Sequence, residues 1–83
     1  MTLIFEGNGV RLIERLGVLY LRYDAGAHQV EIREEVVSGA EAEKVKSGEP
    51  KLINEVLMRI QTELINANID PYRSNLESGK HQF

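Results

Sequence analysis

One amphipathic segment, residues 51–67, constrains the fold of this 83-residue chain more than any other feature. Its apolar residues recur at helical spacing and occupy a stripe about 140° wide. Pro50 stands where a first-turn proline is tolerated, and Pro71 prevents the helix from continuing. The segment therefore predicts a long helix that must bury this stripe against another element. The stripe consists of Leu52, Ile53, Val56, Leu57, Ile60, Leu64 and Ala67.

The first half of the chain supplies that element, because its sequence is typical of β-strands. Turn-forming residues at 7–9 and 24–27 separate short apolar runs. An alternative is that residues 10–23 form a helix interrupted at Gly17, since their apolar residues also fit helical spacing. Their β propensity and the turn that follows favour strands. The predicted strands are Thr2–Glu6, Val10–Leu16, Val18–Asp24 and Gln29–Val37.

The last of these strands has the clearest alternation of apolar and polar side chains in the chain. Successive side chains of a strand point to opposite faces, so the apolar set shares one face and the polar set the other. We expect an antiparallel sheet with the apolar face under the helix and the polar face in water. The apolar set is Val30, Ile32 and Val36, and the polar set is Gln29, Glu31, Arg33 and Glu35.

Between the sheet and the long helix, Ser38 and Glu41 have the spacing of a capping box, which predicts a short helix. The predicted fold class is α+β: an antiparallel meander of three or four strands, then a short helix and one long helix packed on one sheet face. Residues 1–69 form the single domain and residues 70–83 a C-terminal tail. The predicted core residues are Leu3, Phe5, Leu12, Leu19, Leu21, Val30, Ile32, Val36, Leu52, Ile53, Val56, Leu57, Ile60 and Leu64.

Composition excludes several classes of function. The chain has no cysteine, which excludes disulfides, thiolate metal sites and a cysteine nucleophile. Thirteen acidic and ten basic residues give a net charge of −3. They are evenly spread, so the basic footprint of a nucleic-acid-binding protein is missing. No segment approaches the roughly 20 apolar residues that span a bilayer, and the start of the chain lacks the basic region of a signal peptide. We expect a cytoplasmic protein.

The candidate catalytic and metal-binding residues have simpler structural roles. His28 and His81 have no second ligand at a suitable spacing, so a metal site would have to be wholly tertiary. Ser38, His28 and Asp24 can be written as a catalytic triad, but no nucleophile elbow surrounds the serine. We therefore expect neither enzymatic activity nor a cofactor.

Three further motifs also favour structural roles. The glycines at 7 and 9 lack the lysine and the following helix of a phosphate-binding loop, and they predict a hairpin turn. Glu34 and Glu35 are adjacent on a strand and point to opposite faces, so they cannot share a site. The strand arginines alternate with acids, which favours ion pairs across the sheet over contacts with RNA. These arginines are Arg11, Arg15, Arg22 and Arg33.

The long helix has two sides besides its apolar stripe. One carries charges of alternating sign at i,i+4 spacing, which predicts a solvated rim. The other carries no charge, and Met58 and Ile65 lie on it two turns apart. Either Tyr72, Leu76 or the short helix folds over this uncharged side, or it binds a partner. The charged side consists of Lys51, Glu55, Arg59 and Glu63, and the predicted partner-binding residues are Asn54, Met58, Gln61, Ile65 and Tyr72.

These observations favour a small acidic protein-binding module without enzymatic activity, such as an inhibitor or immunity-type protein that blocks a basic partner. The alternative is a structural subunit that self-associates through the long helix or an edge strand, as a homodimer or a larger assembly. In both cases the expected partner is another protein or a second copy of the chain, rather than a nucleic acid or a membrane.

Overall fold

The computed structural model describes residues 1–26 and 28–76. Neighbours in the chain are neighbours in the four-stranded antiparallel sheet, so the sheet is a meander with β1 and β4 at its edges. This confirms the predicted α+β fold, and residues 10–23 form two strands rather than an interrupted helix. The elements are β1 (Thr2–Gly7), β2 (Val10–Arg15), β3 (Val18–Asp24), β4 (Ile32–Val36), α1 (Gly39–Lys46) and α2 (Pro50–Asn66).

Some of the sequence-based expectations fall outside the described residues. They concern Ala27 in the second predicted turn, and His81 and Phe83 in the predicted tail. The boundary between a domain ending at 69 and a tail beginning at 70 stays a prediction. Within the described residues, no helix has the length and apolar character needed to cross a membrane.

Two-residue turns join β1 to β2 and β2 to β3. Asn8 and Gly9 have φ angles of 51° and 79°, and Leu16 and Gly17 have φ angles of 53° and 81°. Positive φ at both central positions matches the twist of the flanking strands. Asparagine and glycine adopt this conformation readily, whereas leucine does so only with strain. The β2–β3 turn therefore holds a strained leucine, and Leu16 is 98% exposed.

The register of β1 against β2 shifts between Leu3 and Phe5. Leu3 lies opposite Ile13, whereas Phe5 lies opposite Leu12. Residues opposed across antiparallel strands share a face, so this bulge at Ile4 places Leu3 and Phe5 on opposite faces of the sheet. Phe5 packs against the core. Leu3 is 52% exposed, so the prediction that it belongs to the core is wrong.

We call the face that carries Leu12 and Leu21 the helix-covered face, and the face that carries Ile13 and Tyr20 the open face. The buried residues of the helix-covered face and of both helices form one core cluster. All four buried α2 positions belong to the predicted stripe. The core cluster consists of Val10, Leu12, Leu21, Val37, Ala42, Val45, Ile53, Val56, Ile60 and Leu64, with Phe5, Leu19, Tyr23 and Leu57 packed against it.

The side of β4 that the sequence predicted to face water lies toward the helices instead. Arg33 pairs with Tyr23 across the β3–β4 ladder, and Glu35 pairs with the core residue Leu21. Arg33 is only 4% exposed. Its guanidinium donates to the Glu35 carboxylate at 2.6 Å and to the Arg73 carbonyl at 2.6 Å. Burial of this charge is possible because these acceptors replace water.

The apolar side of β4 lies on the open face. Val36 pairs with Tyr20 there and is 55% exposed, and Val30, before the strand, is 57% exposed. The prediction that both valines belong to the core is wrong. Val37 lies in the core instead, directly after the strand. Ile32 is fully buried, and Glu31, predicted to face water, is only 9% exposed.

The capping box at the start of α1 is confirmed. The Ser38 hydroxyl accepts from the Glu41 amide, and the Glu41 carboxylate accepts from the Ser38 amide. The same carboxylate accepts two hydrogen bonds from Arg59 of α2, both of 2.7 Å, which hold the pKa of Glu41 below its usual value. Arg59 also contacts Glu63 at 2.9 Å. This arginine, predicted to belong to a solvated rim, therefore ties α2 to α1.

The free edge of β4 is covered by residues that follow α2. The Ser74 hydroxyl donates to the Ile32 carbonyl at 2.5 Å. The Asn75 side chain accepts from the Glu34 amide at 2.9 Å and donates to the Glu34 carbonyl at 2.8 Å. Side chains thus replace the backbone groups of a fifth strand, and the start of the predicted tail lies on its own domain.

Candidate functional site

A groove runs between α2 and the end of β3. Its volume is about 220 Å³, and it is open to solvent along one side. The α2 wall comprises Asn54, Leu57, Met58 and Gln61. The opposite wall and the end of the groove comprise Tyr23, Asp24, Ala25, Pro71 and Tyr72. We call it the α2 groove.

A second cavity of about 310 Å³ adjoins the α2 groove. Tyr72 lines both cavities. The other residues of this adjoining pocket belong to the β3–β4 connection and to the chain after α2. They are Gly26, His28, Gln29, Glu31 and Arg73.

Tyr72 is positioned by α2 and by its own turn. Its hydroxyl accepts a hydrogen bond of 2.9 Å from the Gln61 amide group, and its backbone N–H donates to the Asp70 carboxylate at 2.9 Å. The intervening Pro71 fixes one backbone dihedral of the turn. The ring is nevertheless 53% exposed. Tyr72 therefore flanks the uncharged side of α2 without covering it.

Four of the five residues that the sequence predicted to bind a partner meet in the α2 groove, namely Asn54, Met58, Gln61 and Tyr72. Ile65 does not line it. Ile65 lies two turns after Met58 on α2, and the two side chains are 53% and 51% exposed. Contact with a partner stays a prediction for all five residues.

The β3 wall of the groove is held by a network of local hydrogen bonds. One carboxylate oxygen of Asp24 accepts from the amides of Gly26 at 2.9 Å and Glu31 at 3.0 Å. The Ala25 amide donates to the Glu31 carbonyl at 2.9 Å. A Cβ on Gly26 would lie 1.8 Å from the Gln29 carbonyl oxygen, so only glycine fits there. The wall is therefore formed before any partner binds.

Tyr23 connects the groove to the core. It lines the groove and packs against the core cluster, and burial raises the pKa of its hydroxyl. Sequence reasoning missed Tyr23, Asp24 and Pro71 as groove residues. Asp24 and Gly26 did carry a local signal, because this pair predicts a turn closed by the aspartate side chain. Nothing local indicated that the turn would face α2.

The open face of the sheet carries the cross-strand ion pairs predicted for Arg11, Arg15 and Arg22. The prediction is wrong for Arg33, which lies on the helix-covered face and pairs with Glu35 of its own strand. Glu34 accepts two hydrogen bonds from Arg15, of 2.9 and 3.0 Å, and one of 3.0 Å from Arg22. Burial raises the pKa of Glu34, but the two arginines outweigh burial and the net pKa is lowered. The Arg15 guanidinium lies 5.0 Å from the centre of the Tyr20 ring. Arg11 of β2 pairs with Glu6 of β1 at 2.5 Å.

The chemistry of the groove suits the binding of side chains. It presents apolar groups, two tyrosines, two amides and one carboxylate. Within residues 1–26 and 28–76, no three histidine, aspartate or glutamate side chains lie together as a possible metal site. Comparison of the chain with protein-family models, curated proteins and solved structures finds no match to any of them.

Proposed function

We propose that this chain is a small acidic protein-binding module without enzymatic activity, and that it holds part of its partner in the α2 groove. The observation that carries the proposal is the exposure of three large side chains. Met58 and Ile65 lie on the uncharged side of α2, and Tyr72 flanks it. Each is more than half exposed. An exposed apolar strip of this kind, flanked by amides and low in charge, is typical of the centre of a protein interface.

The size of the groove favours a protein partner over a small metabolite. Pockets for small molecules usually measure about 300–1,000 Å³ and bury most of the ligand. The α2 groove measures about 220 Å³ and is open on one side. Shallow pockets of this size accept single anchoring side chains, which supply most of the binding energy in many interfaces. The net charge of −3 supports a partner with a basic surface.

Self-association is the second candidate function, and a separate observation favours it. Ile65 and Ile69 lie beyond the α2 groove and are 53% and 47% exposed. They extend the apolar strip toward the end of α2. If the α2 helices of two copies packed antiparallel, Met58 of each copy would lie opposite Ile65 of the other.

The proposed function is tested by capture of a partner from an extract of the cells that naturally make the protein. We expect one protein to co-purify in stoichiometric amount with the wild type and to be lost from the double variant Met58→Glu, Ile65→Lys. The matched control is Thr62→Glu, which adds a charge at an exposed α2 position outside the groove. Circular dichroism should show the same helix content in all three proteins.

Two outcomes would count against the proposal. One is capture that is equally strong with the double variant. The other is the absence of any stoichiometric partner of the wild type. Light scattering over a dilution series distinguishes self-association from binding of another protein. A dimer that dissociates on dilution and is absent from the double variant would identify self-association.

A further inference from the structure

The charged side chain that lines the α2 groove is acidic, and a second carboxylate lies next to the groove in the chain. Asp24 lines the groove, and Asp70 directly precedes the groove residue Pro71. Each of these carboxylates accepts backbone hydrogen bonds within its own turn. Among the described residues, neither forms a salt bridge. The basic residues nearest to them along the chain pair with other acids, Arg22 with Glu34 at 3.0 Å and Arg73 with Glu31 at 3.5 Å. One carboxylate in the groove lining and one next to it in the chain are therefore available to a basic group.

Besides Asp24 and two amide side chains, the groove lining is apolar and aromatic. Leu57, Met58 and Pro71 line it together with the rings of Tyr23 and Tyr72. A cavity of roughly 150 Å³ is sufficient for a benzene ring. The volume of about 220 Å³ therefore accommodates one aromatic or large aliphatic side chain. Such a side chain would also contact the thioether of Met58, and sulfur–aromatic contacts are favourable.

The adjoining pocket provides a second place for a side chain of a bound peptide. It shares Tyr72 with the α2 groove and includes Glu31. Side chains two residues apart in an extended peptide lie on the same side, about 6.6 Å apart. One peptide can therefore place two side chains on either side of the Tyr72 ring. The Asn54 side chain lines the groove and forms no hydrogen bond with the described residues, so its amide can pair with the peptide backbone.

We infer that the α2 groove binds an extended peptide segment of another protein in which an aromatic or large aliphatic side chain is flanked by lysine or arginine. The apolar side chain occupies the space beside Met58 and Tyr72. The flanking basic groups face Asp24 and Asp70. This inference rests on the proposed function and specifies the chemistry of the partner.

The test uses the full chain labelled with ¹⁵N and a short capped peptide with a central phenylalanine between lysines. Titration followed by NMR should shift the amide signals of Met58, Gln61 and Tyr72, with a dissociation constant on the order of 100 µM. Replacing the central phenylalanine by alanine should weaken binding about tenfold or more. Replacing the lysines by glutamates should abolish it.

Asparagine substitutions test the two carboxylates without removing their structural hydrogen bonds. Asp24→Asn and Asp70→Asn each keep a side-chain oxygen that accepts the same backbone N–H groups. Each should weaken binding of the lysine peptide about threefold at low salt, and the difference should disappear at high salt. The control Glu43→Gln removes an exposed carboxylate of α1 outside the groove and should leave binding unchanged.

The inference is overturned if the peptide shifts no groove signal at millimolar concentration, or if the alanine and glutamate peptides bind equally well. It is also overturned if concentration-dependent shifts of the same signals appear without peptide, because the occupant is then a second copy. Its failure is distinguishable from failure of the proposed function. A natural partner that is lost from the Met58→Glu, Ile65→Lys variant would uphold that function even if the lysine peptide did not bind.

Discussion

The two faces of the sheet are stabilised by different interactions. On the helix-covered face, Leu12 and Leu21 are completely buried against a core to which both helices contribute. On the open face, neither of the helices within residues 1–26 and 28–76 covers the sheet, and Ile13 is nevertheless only 3% exposed. The charged groups there are joined through Glu34, which binds both Arg15 and Arg22.

The two faces therefore allow two contributions to stability, apolar burial and ion pairing, to be measured in one molecule. Apolar burial contributes about 1.5–3 kcal/mol for each large side chain and does not depend on pH. Ion pairs near the surface contribute less and change with pH and salt. The helix-covered face should therefore determine most of the free energy of unfolding. The Glu34 ion pairs of the open face, together with the Glu41–Arg59 pair between the helices, should determine how that free energy responds to acid.

The largest effect is expected for Leu21→Ala. Leu21 is fully buried at the centre of the helix-covered face, so the variant loses apolar burial and leaves a cavity. We expect the free energy of unfolding to fall by about 3–4 kcal/mol in urea titrations. Val36→Ala, on the open face, serves as control and should cost well below about 1 kcal/mol, because Val36 is 55% exposed. Similar costs for both variants would contradict the comparison.

Ile13→Ala is expected to cost less than Leu21→Ala, although both residues are buried. The open face can relax and admit water at the vacated position, so we expect a loss of about 2 kcal/mol, at the low end for such substitutions. The measurement is the same urea titration. A loss equal to that of Leu21→Ala would show that the open face is packed as firmly as the core.

Glu34→Gln should destabilise the protein by about 1.5 kcal/mol at neutral pH, because Arg15 and Arg22 lose a charged acceptor. The pKa of Glu34 is lower in the folded state than its usual value. Its contribution is therefore present above the unfolded pKa and is lost as the pH falls through the folded pKa.

The urea midpoints of wild type and Glu34→Gln should accordingly converge in acid. The pKa of Glu41 is also lowered, but this residue is the same in both proteins, and its effect cancels in the difference. A difference in stability that stayed constant from neutral pH to well below the pKa of a free glutamate would refute the assignment to this carboxylate.

The smallest effect is expected for Leu16→Asn, and its sign is opposite. Asparagine tolerates the positive φ of 53° better than leucine and completes an Asn-Gly turn. The leucine side chain is 98% exposed, so its removal costs no burial. We expect a gain of about 0.5–1 kcal/mol, measured as a higher melting temperature. A lower melting temperature would mean that Leu16 makes a stabilising contact.

Local sequence signals predicted the helices well. The capping box at Ser38 and the position of Pro50 depend on residues within one turn of the chain. The uncharged side of α2 was also predictable, because helical spacing alone places Met58 and Gln61 together. These two residues do line the groove.

The side of β4 that faces the helices was not predictable from its alternation. Alternation defines two sides but does not determine which side the partner strand turns inward. Pairing with β3 and the acceptors supplied by Glu35 and Arg73 made burial of Arg33 possible. Both contributions come from tertiary contacts. The bulge that separates Leu3 from Phe5 likewise depends on pairing with β2. The β3 wall is held by local hydrogen bonds, but its position opposite α2 depends on tertiary packing.

The side chains that close the free edge of β4 also affect the behaviour of the protein at high concentration. An open strand edge is a template on which other chains can stack into fibrils. Ser74 and Asn75 occupy the backbone groups of Ile32 and Glu34 that such stacking would use. At the opposite edge, the irregular register at Ile4 interrupts the regular row of groups that a growing fibril needs. Both edge strands of the sheet are thus protected against the addition of further strands in amyloid-like aggregation.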